Sequence, residues 1–248
     1  MGLKRNYWNA DECGSFSALH HASRHGLKRV INWVLESGIY SVNELTRMGT
    51  TPVIHAAADG HVLTTRGLLA RGANPHLRNW YGEALHCAIE SNNAAPVREL
   101  VRWGMDPEGG VGQDGRTYLS CAMDEDAAEA FAALVDLGAE IVLHSARGPH
   151  SHMFFTAVLY SCDEIVALML ERGWADIGMR DPVGLTAVHY AAASGNWKTV
   201  INLLEAGADI DAMDEGQTAL DCVELEGNKT MARLLLDLGA TPSGRTQR

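Results

Sequence analysis

Three groupings of chemically capable side chains stand out in this chain. Asp124, Glu125 and Asp126 are consecutive carboxylates, His144, His150 and His152 crowd into one short stretch, and His21 and His25 are four apart. A carboxylate beside an imidazole can pass a proton, so Asp124, Glu125 and His152 are the acid–base candidates. His21 and His25 would share one helix face and could begin a metal site. A closed site needs further ligands, and none lies nearby in the sequence. The run Gly110-Val-Gly112-Gln-Asp-Gly115 fits a nucleotide-binding glycine pattern, which requires a strand before it and a helix opening at its last glycine. The surrounding residues read instead as a turn. No nucleophile elbow, phosphate-binding loop, HExxH or kinase signature occurs. The expectation is a chain with no bound metal and no cofactor, and with binding favoured over catalysis.

Charge narrows the partner. The formal charge of −11 argues against a nucleic-acid backbone, whose binding rests on Lys and Arg releasing counterions. The acids are concentrated: between Asp106 and Glu140 they surround a single base, Arg116, whereas the first 35 residues carry more bases than acids. A protein or peptide with a basic segment would be steered by that gradient. No uncharged run approaches the roughly 18 residues that cross a bilayer, and the first residues lack the apolar stretch of a secretory leader. Cys13, Cys87, Cys121, Cys162 and Cys222 form no CxxC pair. An odd number of thiols suits a reducing compartment, so a cytoplasmic location is expected, with the nucleus as the alternative. Cys87, Cys121 and Cys222 recur at one place in the pattern below, as small, buried, inert residues do.

What must position these groups is a repeat. Seven times an apolar helical phrase ends on glycine, at Gly38, Gly72, Gly104, Gly138, Gly173, Gly207 and Gly239, with spacings of 32 to 35 residues. Such a period marks stacked supersecondary units. The sixth unit is the clearest. Thr186 is placed to cap a short Ala-rich helix that ends at Gly195, and Val200, Leu203 and Leu204 then form the stripe of a second, amphipathic helix ending at Gly207.

The strings Gly49-Thr-Thr-Pro-Val-Ile-His-Ala-Ala-Ala-Asp-Gly60-His, Ser17-Ala-Leu-His20 and Leu185-Thr-Ala-Val-His189 closely resemble the ankyrin repeat. The resemblance implies an all-α solenoid of stacked helix pairs with hairpin fingers and a concave face. Residues 1–13 form an N-terminal extension and 14–240 the repeat domain, with units at 14–46, 47–78, 79–111, 112–146, 147–180, 181–212 and 213–240. Residues 241–248 form a C-terminal tail. The resemblance also implies that His20, His86 and His189 are structural. It puts the binding surface at the finger tips and the two residues before each mid-repeat glycine. Here these positions include Arg24, His25, Arg47, Met48, Trp80, Tyr81, Glu90, Asp114, Arg116, Asp124, Glu125, Tyr160 and Leu185. Trp80 and Tyr81 are expected anchors, because exposed aromatics dominate interface energies.

The pattern decays in the middle. The third unit is one residue short between Gly82 and His86 and carries Asn92-Asn93 for the usual Gly-His. The fourth has Tyr118, Ser120 and Asp126 at the Pro, His and Gly positions, and the fifth keeps only Ala157 of its first half. Local rules break where function or strain lives, which centres the expected site on units three to five. A second reading makes that region a small-molecule pocket walled by Trp80, Tyr81, Tyr118, His152, Phe155 and Tyr160.

Overall fold

The computed structural model describes residues 16–111, 116–141, 153–214 and 216–243. Among them fourteen helices run as seven consecutive pairs, one pair per sequence unit. Their contacts divide the chain into two compact units, 1–140 and 141–248. The first holds α1 (Ala18–Arg24) with α2 (Lys28–Glu36), α3 (Pro52–Ala58) with α4 (Val62–Leu69), α5 (Ala84–Glu90) with α6 (Ala94–Arg102), and α7 (Tyr118–Asp124) with α8 (Ala128–Asp136). The second holds α9 (Met153–Leu159) with α10 (Asp163–Glu171), α11 (Ala187–Ala193) with α12 (Trp197–Glu205), and α13 (Ala219–Leu225) with α14 (Lys229–Asp237). Two-residue strands β1 (Gly110–Val111) and β2 (Arg116–Thr117) pair antiparallel on either side of the glycine-rich run. That run is therefore flanked by a finger, and no helix opens at Gly115.

Hydroxyl caps start the first helices. Thr51 and Thr117 sit in extended backbone and accept the amides of Ile54 and Ser120 at 3.4 and 3.2 Å, satisfying donors that a helix start leaves bare. Pro52 occupies the first turn, where its missing N–H costs nothing. Each first helix then has to reverse through a left-handed residue. Gly26, Gly60, Gly195 and Gly227 do this in four repeats. In repeats three to five the same turn is made by Asn92, Asp126 and Ser161, at φ of 54°, 48° and 61°, and these are the non-glycine residues with positive φ among the described residues. A side chain there costs on the order of 1 kcal/mol, less for Asn and Asp.

Alanine sets the spacing of the layers. Ala56, Ala57, Ala88, Ala122, Ala191 and Ala192 are fully buried on the first helices and let backbones approach closely. Around them Leu19, Ile54, Leu85, Leu100 and Phe131 fill the first unit, and Phe154, Phe155, Ile165, Met169 and Leu220 the second. Polar ties join the second helices of neighbouring repeats. Arg66 reaches the buried Glu99 with two bonds of 2.9 and 2.8 Å, and Trp103 Nε1 donates to the same carboxylate at 3.1 Å. Arg98 pairs with Asp136 at 2.8 Å. In the second unit Asp163 gathers Asn196, Lys198 and Thr199.

The mid-repeat turns are tied as well. His61 Nε2 donates to the Arg24 carbonyl at 2.8 Å, and Asn93 Nδ2 makes the corresponding bond to Ala58 at 2.5 Å. Asn93 thus performs the task of the histidine it replaces. Its neighbour Asn92 reaches forward: its Oδ1 accepts the Ala130 amide at 2.9 Å. Helix α8 begins at Ala127, which has no side-chain oxygen of its own to cap with, so the preceding repeat supplies the cap.

Candidate functional site

The most exposed of the large apolar side chains is Trp80, at 81%, and its position is fixed by the residue before it. Asn79 closes the finger through its own N–H to the Gly82 carbonyl at 2.9 Å. Its side-chain oxygen accepts the amides of Tyr81 and Gly82, each at 2.8 Å. Its Nδ2 donates to Thr50 Oγ1 of the preceding finger at 3.3 Å. The tip is therefore a rigid turn that holds Trp80 and the exposed Tyr81 out from the fold. The preceding finger is built alike: Thr46 and Thr50 close a turn through their backbones and the Thr46 hydroxyl, presenting an exposed Arg47 and a half-buried Met48.

At the ends of the first helices the expected residues fall mostly into pairs. Arg24 lies 3.9 Å from Asp59, Glu90 lies 3.7 Å from His86, and Arg116 forms an ion pair with Asp124. His25 and Glu125 are exposed. The acidic stretch of the fourth repeat is thus partly neutralised from within, which sequence alone does not reveal. In the second unit Tyr160 stands 71% exposed at the end of α9, and Leu185 is half-buried behind the more exposed Val183. The side chain of Asp181 accepts the amides of Val183, Gly184 and Leu185 at 2.8 to 2.9 Å. Asp114, His144, His150 and His152 lie outside the described residues.

The repeat-position histidines divide. His20 Nδ1 accepts from Ser17 and its Nε2 donates to the carbonyls of Glu44 and Thr50 at 3.1 and 3.2 Å. His189 is bound in the same way by Thr186 and the Gln217 carbonyl. Both are structural, as the resemblance implies, and burial lowers both pKa values against the pull of those carbonyl bonds. His86 differs. The residue at its helix start is Glu83, and His86 Nδ1 is buried with no hydrogen bond. Burial, with the charges of Arg116 and Arg78, pushes its pKa down to about 4.

Glu83 has turned to another task. Its buried carboxylate accepts the Tyr118 hydroxyl, with Arg78 at 3.7 Å and His76 at 3.8 Å. Burial and this bond both raise the Tyr118 pKa. Two departures in successive repeats, Glu for the capping Thr and Tyr for Pro, are therefore one buried pair. This corrects the aromatic-pocket reading. Tyr118 and Phe155 are each 2% exposed, Tyr118 bound to Glu83 and Phe155 packed on Phe154 and Tyr190, so neither can wall a cleft. An open depression of about 540 Å³ lies instead among second-helix residues of the second unit, including Leu170, Glu171, Asn202 and Glu205. Among the described residues no His, Cys, Asp or Glu side chains gather as a metal site, and no helix is long and apolar enough to cross a membrane. Cys87, Cys121 and Cys162 are buried free thiols, and burial lifts the Cys87 pKa to about 12. Cys222 is only half-buried, which corrects the expectation that all three recurring cysteines are buried.

Two family models match: ankyrin repeats in three copies over residues 154–245, and a single ankyrin repeat over 48–80. The chain is 27% identical to the E3 ubiquitin-protein ligase KEG of Arabidopsis thaliana over 97% of its own length, but spans only 16% of that protein. It is 34% identical to human protein phosphatase 1 regulatory subunit 27 over 39% of its length, covering 63% of that subunit. The human ASB11 ankyrin repeat domain superposes with a TM-score of 0.64 at 23% identity, over 92% of this chain and 100% of that one. With helix pairs, fingers and capping histidines all in register, this chain belongs to the ankyrin-repeat family.

Proposed function

We propose that this protein works by binding a protein or peptide partner through its finger tips and first-helix ends, the side that an ankyrin stack makes concave. Trp80 and Tyr81 are the anchors, and the site centres on repeats three to five. The observation that carries this reading is the Trp80 turn: a large aromatic ring left in water on a backbone fixed by the bonds of Asn79. An anchor already held in place loses little freedom on binding. Glu90, Asp124 and Glu125 in the first unit favour basic side chains on the partner, and Tyr160 adds a second aromatic contact from the second unit. The free thiols suit a reducing compartment, the cytoplasm or the nucleus. The output of such a module is scaffolding, inhibition or adaptor work.

The test uses the folded full-length protein as bait in native extract, wild type beside a Trp80→Ala/Tyr160→Ala double variant. A partner retained by the first and lost by the second supports the site. Equal retention by both moves it elsewhere on the stack.

A further inference from the structure

The outward end of the first repeat carries an apolar surface where an end unit facing water should be polar. On α2, Leu27 is 48% exposed, Val30 40% and Trp33 71%. These are stacking positions. The residues equivalent to Val30 in the next three repeats, Thr64, Pro96 and Ala130, are all buried. Trp33 corresponds to Glu99 and Ala133 in repeats three and four, at 4% and 0%. On α1, His21 is exposed, whereas His55, Cys87 and Cys121 at the same position are buried. In those repeats the preceding repeat does the covering.

We propose that the chain's own residues 1–15 dock on this face, with Leu3, Tyr7 and Trp8 against Val30 and Trp33. Three observations favour this occupant. The described chain begins on the face itself, since the Phe16 ring lies 5.1 Å from His21 and 4.8 Å from His55. The reach is ample: a nine-residue helix is about 14 Å long, while eight extended residues span roughly 26 Å or more, enough to carry Trp8 along it. Charge excludes the simplest competitor. Exposed Lys28 and Arg29 on α2 would meet their own copies in a two-fold dimer through this face, whereas Asp11 and Glu12 of the segment meet them with opposite sign.

The experiment is amide hydrogen exchange of α2 in the full chain, for wild type, Trp8→Ala, Trp33→Ala and the double variant, with molecular mass by light scattering. Docking predicts that Trp8→Ala speeds α2 exchange about tenfold. Trp33→Ala should do the same, with no further gain in the double. If Trp33→Ala does not fold, Val30→Ala replaces it in the same cycle. Unchanged α2 exchange in Trp8→Ala, or effects that simply add, overturns the proposal. A dimer that Trp33→Ala converts to monomer overturns it in favour of a second copy.

Discussion

The third and sixth repeats open their first helices on the same backbone plan with different chemistry. In the sixth, Thr186 holds His189, and His189 holds the next finger at Gln217. In the third, Glu83 has left that task to bond Tyr118, and His86 Nδ1 is stranded. The sixth repeat is tied locally, while the third depends on a side chain of the fourth. A decayed repeat signature is therefore not by itself a mark of function. Tyr118, Asn92 and Asn93 look like losses one repeat at a time and turn out to be bonds made between repeats. Trp80 is different, because Asn79 holds its backbone while the ring itself remains in water.

Acid should expose this contrast most strongly. Above pH 6.5 the ring of His86 is neutral in both folded and unfolded chains. Below it the unfolded chain takes up a proton that the fold refuses, so stability falls from about 6.5 toward the folded value of about 4. Buried His55 extends the loss toward about 3. His86 alone accounts for on the order of 3 kcal/mol across that window. Urea midpoints at pH 7 and pH 4 should converge more in His86→Gln than in His189→Gln, and equal convergence would erase the distinction between the two repeats.

The buried pair comes next in size. Tyr118→Phe leaves the Glu83 carboxylate without its hydroxyl and should cost about 2 kcal/mol. Tyr190→Phe removes a similar 2.6 Å bond to Asp181, but Asp181 keeps three backbone amides, so the cost should be nearer 1 kcal/mol. Restoring the family residues together, Glu83→Thr with Tyr118→Pro, should recover most of the loss in equilibrium unfolding. For Trp80→Ala the expectation is reversed: unfolding within about 0.5 kcal/mol of wild type, with partner affinity down roughly thirtyfold by titration calorimetry.

The smallest effects lie at the left-handed turns. Ser161→Gly should raise stability by about 1 kcal/mol, whereas Asn92→Gly should gain nothing, because it also removes the cap on Ala130. Asp124→Ala breaks an exposed pair with Arg116 and should change stability by less than about 1 kcal/mol, its main effect being slower association with a basic partner.

Helix pairs, caps and glycine turns are legible in the sequence because each depends on residues a few positions apart: Thr186 with His189, Val200 with Leu203. The finger position of Trp80 and Tyr81 follows from the same register. What sequence does not disclose is any bond between repeats. Glu83 and Tyr118 are thirty-five residues apart, and the Arg116–Asp124 pair needs the finger to fold back over its helix end. The exposure of Trp33 is hidden for the same reason, since its position in the repeat reads as covered and only the place of the first repeat in the stack uncovers it.

The Asn92 cap gives the stack a direction. Helix α8 cannot complete its start until repeat three is in place, but α6 needs nothing comparable from repeat four. Stability in such arrays is a sum of unit and neighbour terms, and this neighbour term is lent forward along the chain. A chain folding from its N-terminus would have the Asn92 oxygen in place before Ala130 needs it. Folding that began in the fourth repeat would have to form α8 with its first turn open.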